Sequence, residues 1–94
     1  MEDSAEKKMM IPIIKRMAKD FSVRIPYQIR KSQGIKPGDV LILRIRKEGK
    51  ETRTTLSLYK QGKIYIPKDV QDMLGLKEHD ILEICIEEKL EKEE

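Results

Sequence analysis

Tryptophan and asparagine are missing from this 94-residue chain, and cysteine, histidine and phenylalanine occur once each. Each shortage removes a class of function or location. A single cysteine, Cys85, rules out an internal disulfide and makes a cytoplasmic chain the expectation. A single histidine, His79, leaves almost nothing for a metal site, and no metal or other cofactor is expected. No run approaches the roughly 18 apolar residues of a membrane span. The apolar stretch Met9 to Ile14 is too short for a signal peptide and follows an acidic segment. Aromatics make up 4% of the chain, and no stacking platform accompanies its basic residues, which disfavours single-stranded nucleic acid.

Charge is what the chain has most of. Charged residues make up 39%, and Lys/Glu richness with few thermolabile side chains is the composition of a hyperthermophile protein. The net charge of +3 hides an asymmetry: residues 1–50 carry 13 Lys/Arg against 6 Asp/Glu, and residues 51–94 carry 7 against 11. A basic half beside an acidic half and tail points to an anionic partner, nucleic acid first, against the plainer reading of a solvated surface.

The strongest architectural signal is an internal repeat. Shifted by 41 positions without gaps, Val23 to Asp39 (VRIPYQIRKSQGIKPGD) falls on Ile64 to Asp80 (IYIPKDVQDMLGLKEHD). Ile25, Pro26, Gly34, Lys36 and Asp39 meet Ile66, Pro67, Gly75, Lys77 and Asp80. The division is a disordered lead-in at 1–8, one domain at 9–88 built from repeats 9–50 and 51–88, and an acidic tail at 89–94.

Each repeat reads as strand, strand, helix, strand. Met9 to Ala18 is a strand, Lys19-Asp20 a turn, and Phe21 to Ile25 a second strand stopped by Pro26, which cannot donate to a ladder. Tyr27 to Gln33 is a two-turn helix closed by Gly34, at a position that needs a left-handed residue. Lys36-Pro37-Gly38-Asp39 is a tight turn, and from Val40 to Arg46 the alternation puts Leu41, Leu43 and Ile45 on one face. The second unit repeats this with Thr52 to Tyr59, Lys63 to Ile66, Pro67 to Leu74 and Ile81 to Ile86, followed by a solvated tail from Glu87. Phe21 stands where the second unit has Gly62, so the first hairpin turn is expected to differ in geometry. The predicted core is Val23, Ile25, Ile29, Ile35, Leu41, Leu43, Ile45, Leu56, Leu58, Ile64, Ile66, Val70, Leu74, Leu76, Leu82, Ile84 and Ile86. Paired about a pseudo-twofold axis, the units can close a mainly β, six-stranded barrel with two short helices.

The stretch VRIPYQIRKSQGIKPGDVLILRI resembles the AbrB/SpoVT/MazE-type domain of prokaryotic DNA-binding regulators. The shared pattern is a strand ending in Ile-Pro, a short helix ending before glycine, a Lys-Pro-Gly-Asp-like turn and an apolar strand. The resemblance covers residues 13–47 well and 54–88 less fully. In that family two chains each supply one unit; here both lie in one chain, as in duplicated members of the cradle-loop barrel group. That implies a RIFT-like closed barrel first, with double-psi or swapped-hairpin closure as alternatives. It also implies duplex DNA as partner, through basic residues in the first strand and the helix. Matched by position, these are Lys15, Arg16, Arg30 and Lys31, with Arg24 on the same face as Ser22, which replaces a basic residue. Unit two keeps only Lys63, and Gln33 stands where relatives carry leucine.

Lys15, Arg16, Arg24, Arg30 and Lys31 are therefore the candidate nucleic-acid-binding residues of an AbrB-like regulator, their role being to neutralise phosphates. The alternative is a non-catalytic protein-interaction or substrate-recognition barrel without nucleic-acid affinity. The expected state is a monomer or weak homo-oligomer, with no membrane partner. Catalysis is not expected, since no nucleophile–base pair, carboxylate pair or metal cluster is present. Asp39 and Asp80 read as turn-capping residues. Acidic Glu83 and Glu87 beside Cys85 would raise the thiol's pKa.

Overall fold

The computed structural model describes residues 6–90, and side chains from Met9 onward. The elements run β1 (Glu6–Arg16), β2 (Ser22–Arg24), α1 (Tyr27–Gln33), β3 (Val40–Lys47), β4 (Lys50–Ser57), β5 (Lys63–Tyr65), α2 (Lys68–Leu74) and β6 (Ile81–Leu90). A single 3₁₀ turn, Lys60–Gly62, precedes β5. This is a small, mainly β domain with two short helices.

The strands form a four-stranded antiparallel sheet in the order β1-β6-β3-β4 and a two-stranded ribbon of β2 and β5. The closed six-stranded ring expected from the sequence is not what these strands build. Ribbon and sheet meet through isolated backbone bonds, not a continuous ladder. Ala18 N–H donates to the Ser22 carbonyl at 2.8 Å and Tyr59 N–H to that of Lys63 at 2.7 Å. The strand-ending Pro26 and Pro67 keep β2 and β5 to three residues each, too short to extend a ladder around a ring.

The 41-residue offset is built into the hydrogen bonding. Met17 N–H to Asp80 O is matched by Leu58 N–H to Asp39 O, and Ile25 N–H to Gly62 O by Ile66 N–H to Phe21 O. The register β1–β6 (Ile13 opposite Ile84) repeats in β4–β3 (Thr54 opposite Leu43). Two pairs are their own equivalents under the shift, Val23 with Ile64 in the ribbon and Arg44 with Cys85 in the sheet. A pseudo-twofold axis therefore runs through both.

The core lies between sheet and ribbon. Leu41, Leu43, Ile45, Ile64, Leu82 and Ile86 are fully buried there, at 0% exposure, so the predicted register holds. Ile29 and Leu56 only pack against the core's edge, and Met17, outside the predicted core, is fully buried. Helix α1 buries no residue while α2 buries Val70 and Leu74, which removes any need for a leucine at Gln33.

One expectation is met and one is corrected. The first hairpin turn does differ in backbone geometry, since Gln61 takes φ +62° where its equivalent Asp20 takes no positive φ. Yet it makes the same bonds: Phe21 N–H to Ala18 O and Ala18 N–H to Ser22 O match Gly62 N–H to Tyr59 O and Tyr59 N–H to Lys63 O. Phe21 takes φ +61° to do so, a conformation unfavourable for its Cβ, while its ring packs against the core. The ends, by contrast, do not behave as a lead-in and a solvated tail. β1 already includes residues 6–8, and β6 continues to Leu90 with Glu87 and Lys89 buried. Residues 1–5 and 91–94 lie outside the described range.

A bulge at Glu87 explains the buried end of β6. Leu43 faces Ile86 but Ile42 faces Glu88, so one residue of β6 is extra. The insertion brings Lys89 opposite core-facing Leu41. There its Nζ donates to the Gly34 carbonyl at 2.7 Å and lies 3.6 Å from Asp39. Lys47, ending β3, does the same in reverse: Nζ reaches the Gly75 carbonyl at 3.1 Å and Asp80 at 2.7 Å. Each unit's last strand thus closes the helix C-terminus and turn of the other, satisfying carbonyls the helix leaves unpaired.

Candidate nucleic-acid interface

Two faces concentrate charge, and they treat it differently. On the outer face of the sheet, Arg44 and Arg53 sit directly opposite one another. The buried Glu87 carboxylate lies between them, 2.7 Å from Arg44 Nη2 and 2.8 Å from Arg53 Nε. Oε2 is held by charge rather than by an aligned hydrogen bond. Arg46 pairs with Glu83 at 3.3 Å, and Arg44 also approaches Glu51 at 3.7 Å. Three arginines face three glutamates, so this surface is locally neutral. Cys85 lies beside it, its thiol pKa raised by burial first and the Glu87 charge second, with Arg44 opposing.

The second face is the ribbon with α1. Val23 and Ile64 turn inward, which leaves Arg24 and its cross-strand partner Lys63 outward. Like charges directly opposite on a ladder repel. Lys63 has a distant carboxylate, Asp20 at 3.8 Å, and Arg24 has only a side-chain amide, donating to Gln61 Oε1 at 3.2 Å. The Asp20 carboxyl is held below its usual pKa chiefly by the Ser22 hydroxyl, 2.5 Å away.

Arg30 belongs to the fold as much as to the surface. Its Nε donates to the Ile25 carbonyl at 2.9 Å, and in unit two Gln71 Nε2 makes the same bond to Ile66, also at 2.9 Å. The guanidinium lies across Gly62, where a Cβ would fall 2.3 Å from Nε, and stands 5.5 Å from the Tyr27 ring. Gly62 is therefore required twice, by φ +76° and by this close approach. Lys31 follows on α1, exposed.

Of the five residues named from the sequence, the fold joins Arg24 and Arg30 around the 59–62 turn, with Lys31 next to Arg30. Lys15 and Arg16 are not brought to one surface. Neighbours on a strand point to opposite sides; Lys15 lies half-buried opposite Leu82, while Arg16 is exposed and donates to the His79 carbonyl in the 77–80 turn at 3.2 Å. None of the five forms an ion pair among the described residues.

Lys63 joins this face although the sequence places it alone in unit two. The repeat aligns it with Ser22, which made it look like an isolated remnant in unit two; antiparallel pairing about the twofold sets it beside Arg24. Gln61 and the three tyrosines, Tyr27, Tyr59 and Tyr65, also border this face, so the exposed rings that the sequence does not show beside its basic residues are brought there by the fold, and the sequence-based argument against a single strand loses its ground. Asp39 and Asp80 cap their turns as read, accepting the Lys36 and Lys77 N–H groups at 2.8 Å. Among the described residues no cluster of His, Cys, Asp or Glu could hold a metal ion. No helix there is long and apolar enough to cross a membrane.

One solved structure resembles the chain over nearly its whole length. The solution structure of PHS018 from Pyrococcus horikoshii superposes with a TM-score of 0.82 at 25% identity, covering 94% of this chain and 100% of that one. No family model matches the sequence, and no curated protein matches it.

Proposed function

We propose that this protein is an internally duplicated, AbrB-like nucleic-acid-binding module acting in the cytoplasm, and that it grips the phosphate backbone of DNA through the ribbon and α1. The observation that carries this reading is the contrast in neutralisation. Arg44, Arg46 and Arg53 all have carboxylates within 3.3 Å or less, whereas Arg24, Arg30 and Lys31 have none among the described residues. Cations left without counter-charges are available to phosphates, and their binding releases counterions. The doubled Ile-Pro, helix, glycine and aspartate-turn pattern supports kinship with the cradle-loop barrel group.

A protein-interaction role draws support from a different place. A groove of about 600 Å3 on the sheet's outer side is lined by Pro12, Ile14, Cys85 and the Arg44–Glu51 and Arg46–Glu83 pairs. Its neutral charge suits a protein segment better than a polynucleotide.

Anisotropy titrations of random-sequence duplex DNA against salt separate the two. Binding that weakens steeply with salt, and a shallower salt slope in Arg24→Glu/Lys31→Glu, is the expected result. Arg30 is left intact in that variant because its Nε bond holds α1 to β2. Binding equal in the variant would move the contact off this face, and no binding of either duplex or single strand at low salt would transfer the function to the groove.

A further inference from the structure

We propose that the ribbon face takes single-stranded polynucleotide, stacking unpaired bases on its tyrosines; this rests on the phosphate-binding reading and narrows its ligand. Tyr27, Tyr59 and Tyr65 come from different elements, and the fold collects all three around the 59–62 turn. The Tyr59 and Tyr65 rings meet edge to face with centroids 5.3 Å apart, and Lys63 Nζ lies 5.9 Å from the Tyr65 ring. Tyr27 touches Arg30, Arg30 lies across Gly62, and Gln61 of the same turn accepts from Arg24. Tyr27 and Arg30 thus reach the 59–62 turn at Gly62, Tyr59 at the head of the same turn meets Tyr65 and with it Lys63, and Arg24 is attached through Gln61.

These rings are open. Tyr27, Tyr59 and Tyr65 are 59%, 54% and 42% exposed, while Phe21, the remaining aromatic, packs against the core. Exposed rings interleaved with cations that lack close counter-charges meet the two needs of an unpaired strand, a surface for each base and a charge for each phosphate. A duplex uses only the second, because its bases are already stacked on one another. Symmetry points the same way. The equivalents of Tyr27 and Tyr59 in the opposite units are Lys68 and Ala18, so the platform has no twofold mate. A single strand needs none.

The test uses the whole chain and three labelled probes of about 15 nucleotides, within the site sizes of known single-strand grooves: oligo-dT, oligo-U and a random duplex. Variants are Tyr59→Leu/Tyr65→Leu, Tyr59→Phe/Tyr65→Phe and Arg24→Glu/Lys31→Glu, with thermal melts as a check on folding. The expected result is tighter binding of a single strand than of the duplex, a loss of about tenfold or more in the Leu variant, and retention in the Phe variant, which keeps both rings. Unlabelled strand should also quench the protein's intrinsic tyrosine fluorescence, readable directly because the chain has no tryptophan. If the Leu variant melts early, the Phe variant and the quench carry the test. A preference for oligo-dT or for oligo-U separates DNA from RNA, and either supports the proposal. Duplex bound as tightly as single strand, with the Leu variant unchanged, overturns stacking and leaves phosphate binding standing. No binding of any probe overturns both.

Discussion

Arg30 and Gln71 stand at equivalent places in the two units and donate the same 2.9 Å bond to the carbonyl at the end of the preceding strand. The backbone task is one; the rest of the side chain differs. Gln71 ends in a neutral amide, while Arg30 carries its charge on across Gly62 toward Tyr27. The helices around them diverge likewise. α1 buries nothing and has Arg30 and Lys31 in its last turn. α2 buries Val70 and Leu74, and its Lys68 is paired with Asp72 at 2.9 Å. Duplication has kept most of the backbone bonds that position the chain, while α2 has become the buried helix and α1 the one with exposed charge.

If the units share one core, equivalent core deletions should cost the same. Leu43 and Ile84 correspond under the repeat and are 0% and 1% exposed. Leu43→Ala and Ile84→Ala should each destabilise by about 2–5 kcal/mol, within about 1 kcal/mol of each other. Urea unfolding measures this, and a clear inequality would break the comparison by showing that one unit dominates the core.

The hairpin turns should then respond unequally. Gly62→Ala adds a Cβ at φ +76° and drives it into Arg30, for an expected loss of roughly 1–3 kcal/mol. Phe21→Gly at the matching turn relieves a left-handed conformation but removes a ring from the core's edge, so strain relief partly offsets lost packing. A smaller net change in the second variant, read from thermal melts, is the expected outcome.

The smallest effect is electrostatic. Asp80 is held below its ordinary pKa of 3.8, first by the bond from Lys47 and next by the Lys77 N–H. A carboxyl depressed by folding stabilises the native state above its unfolded pKa and gives that up as pH falls through the lower, folded value. Lys47 is raised above 10.5 chiefly by Asp80, so its share persists through neutral pH and fades only as strongly alkaline pH passes its folded pKa. Asp80→Asn should flatten the acid limb of a melting-temperature profile, with little change in its shape between pH 5 and 8. An unchanged acid limb would mean that the clamp contributes geometry but no linked stability.

Much of this molecule is set by local chemistry that a sequence carries openly. Ile-Pro junctions end β2 and β5, Gly34 and Gly75 close the helices at φ +67° and +64°, and period-two alternation commits Leu41, Leu43 and Ile45 inward. The repeat itself announces the pseudo-twofold. Such signals are short-range: backbone sterics and burial act within a few residues. The bulge at Glu87 was not legible, because a one-residue insertion shows only when two strands are in register. The Lys89 clamp, the pairing of Arg24 with Lys63 and the gathering of three tyrosines at one turn share that cause. Each depends on which strands lie side by side, and the repeat fixes what each unit builds without fixing how the two thread together. Composition determined that the chain would be rich in cations; only the tertiary structure decided which of them meet a carboxylate and which are left for a ligand.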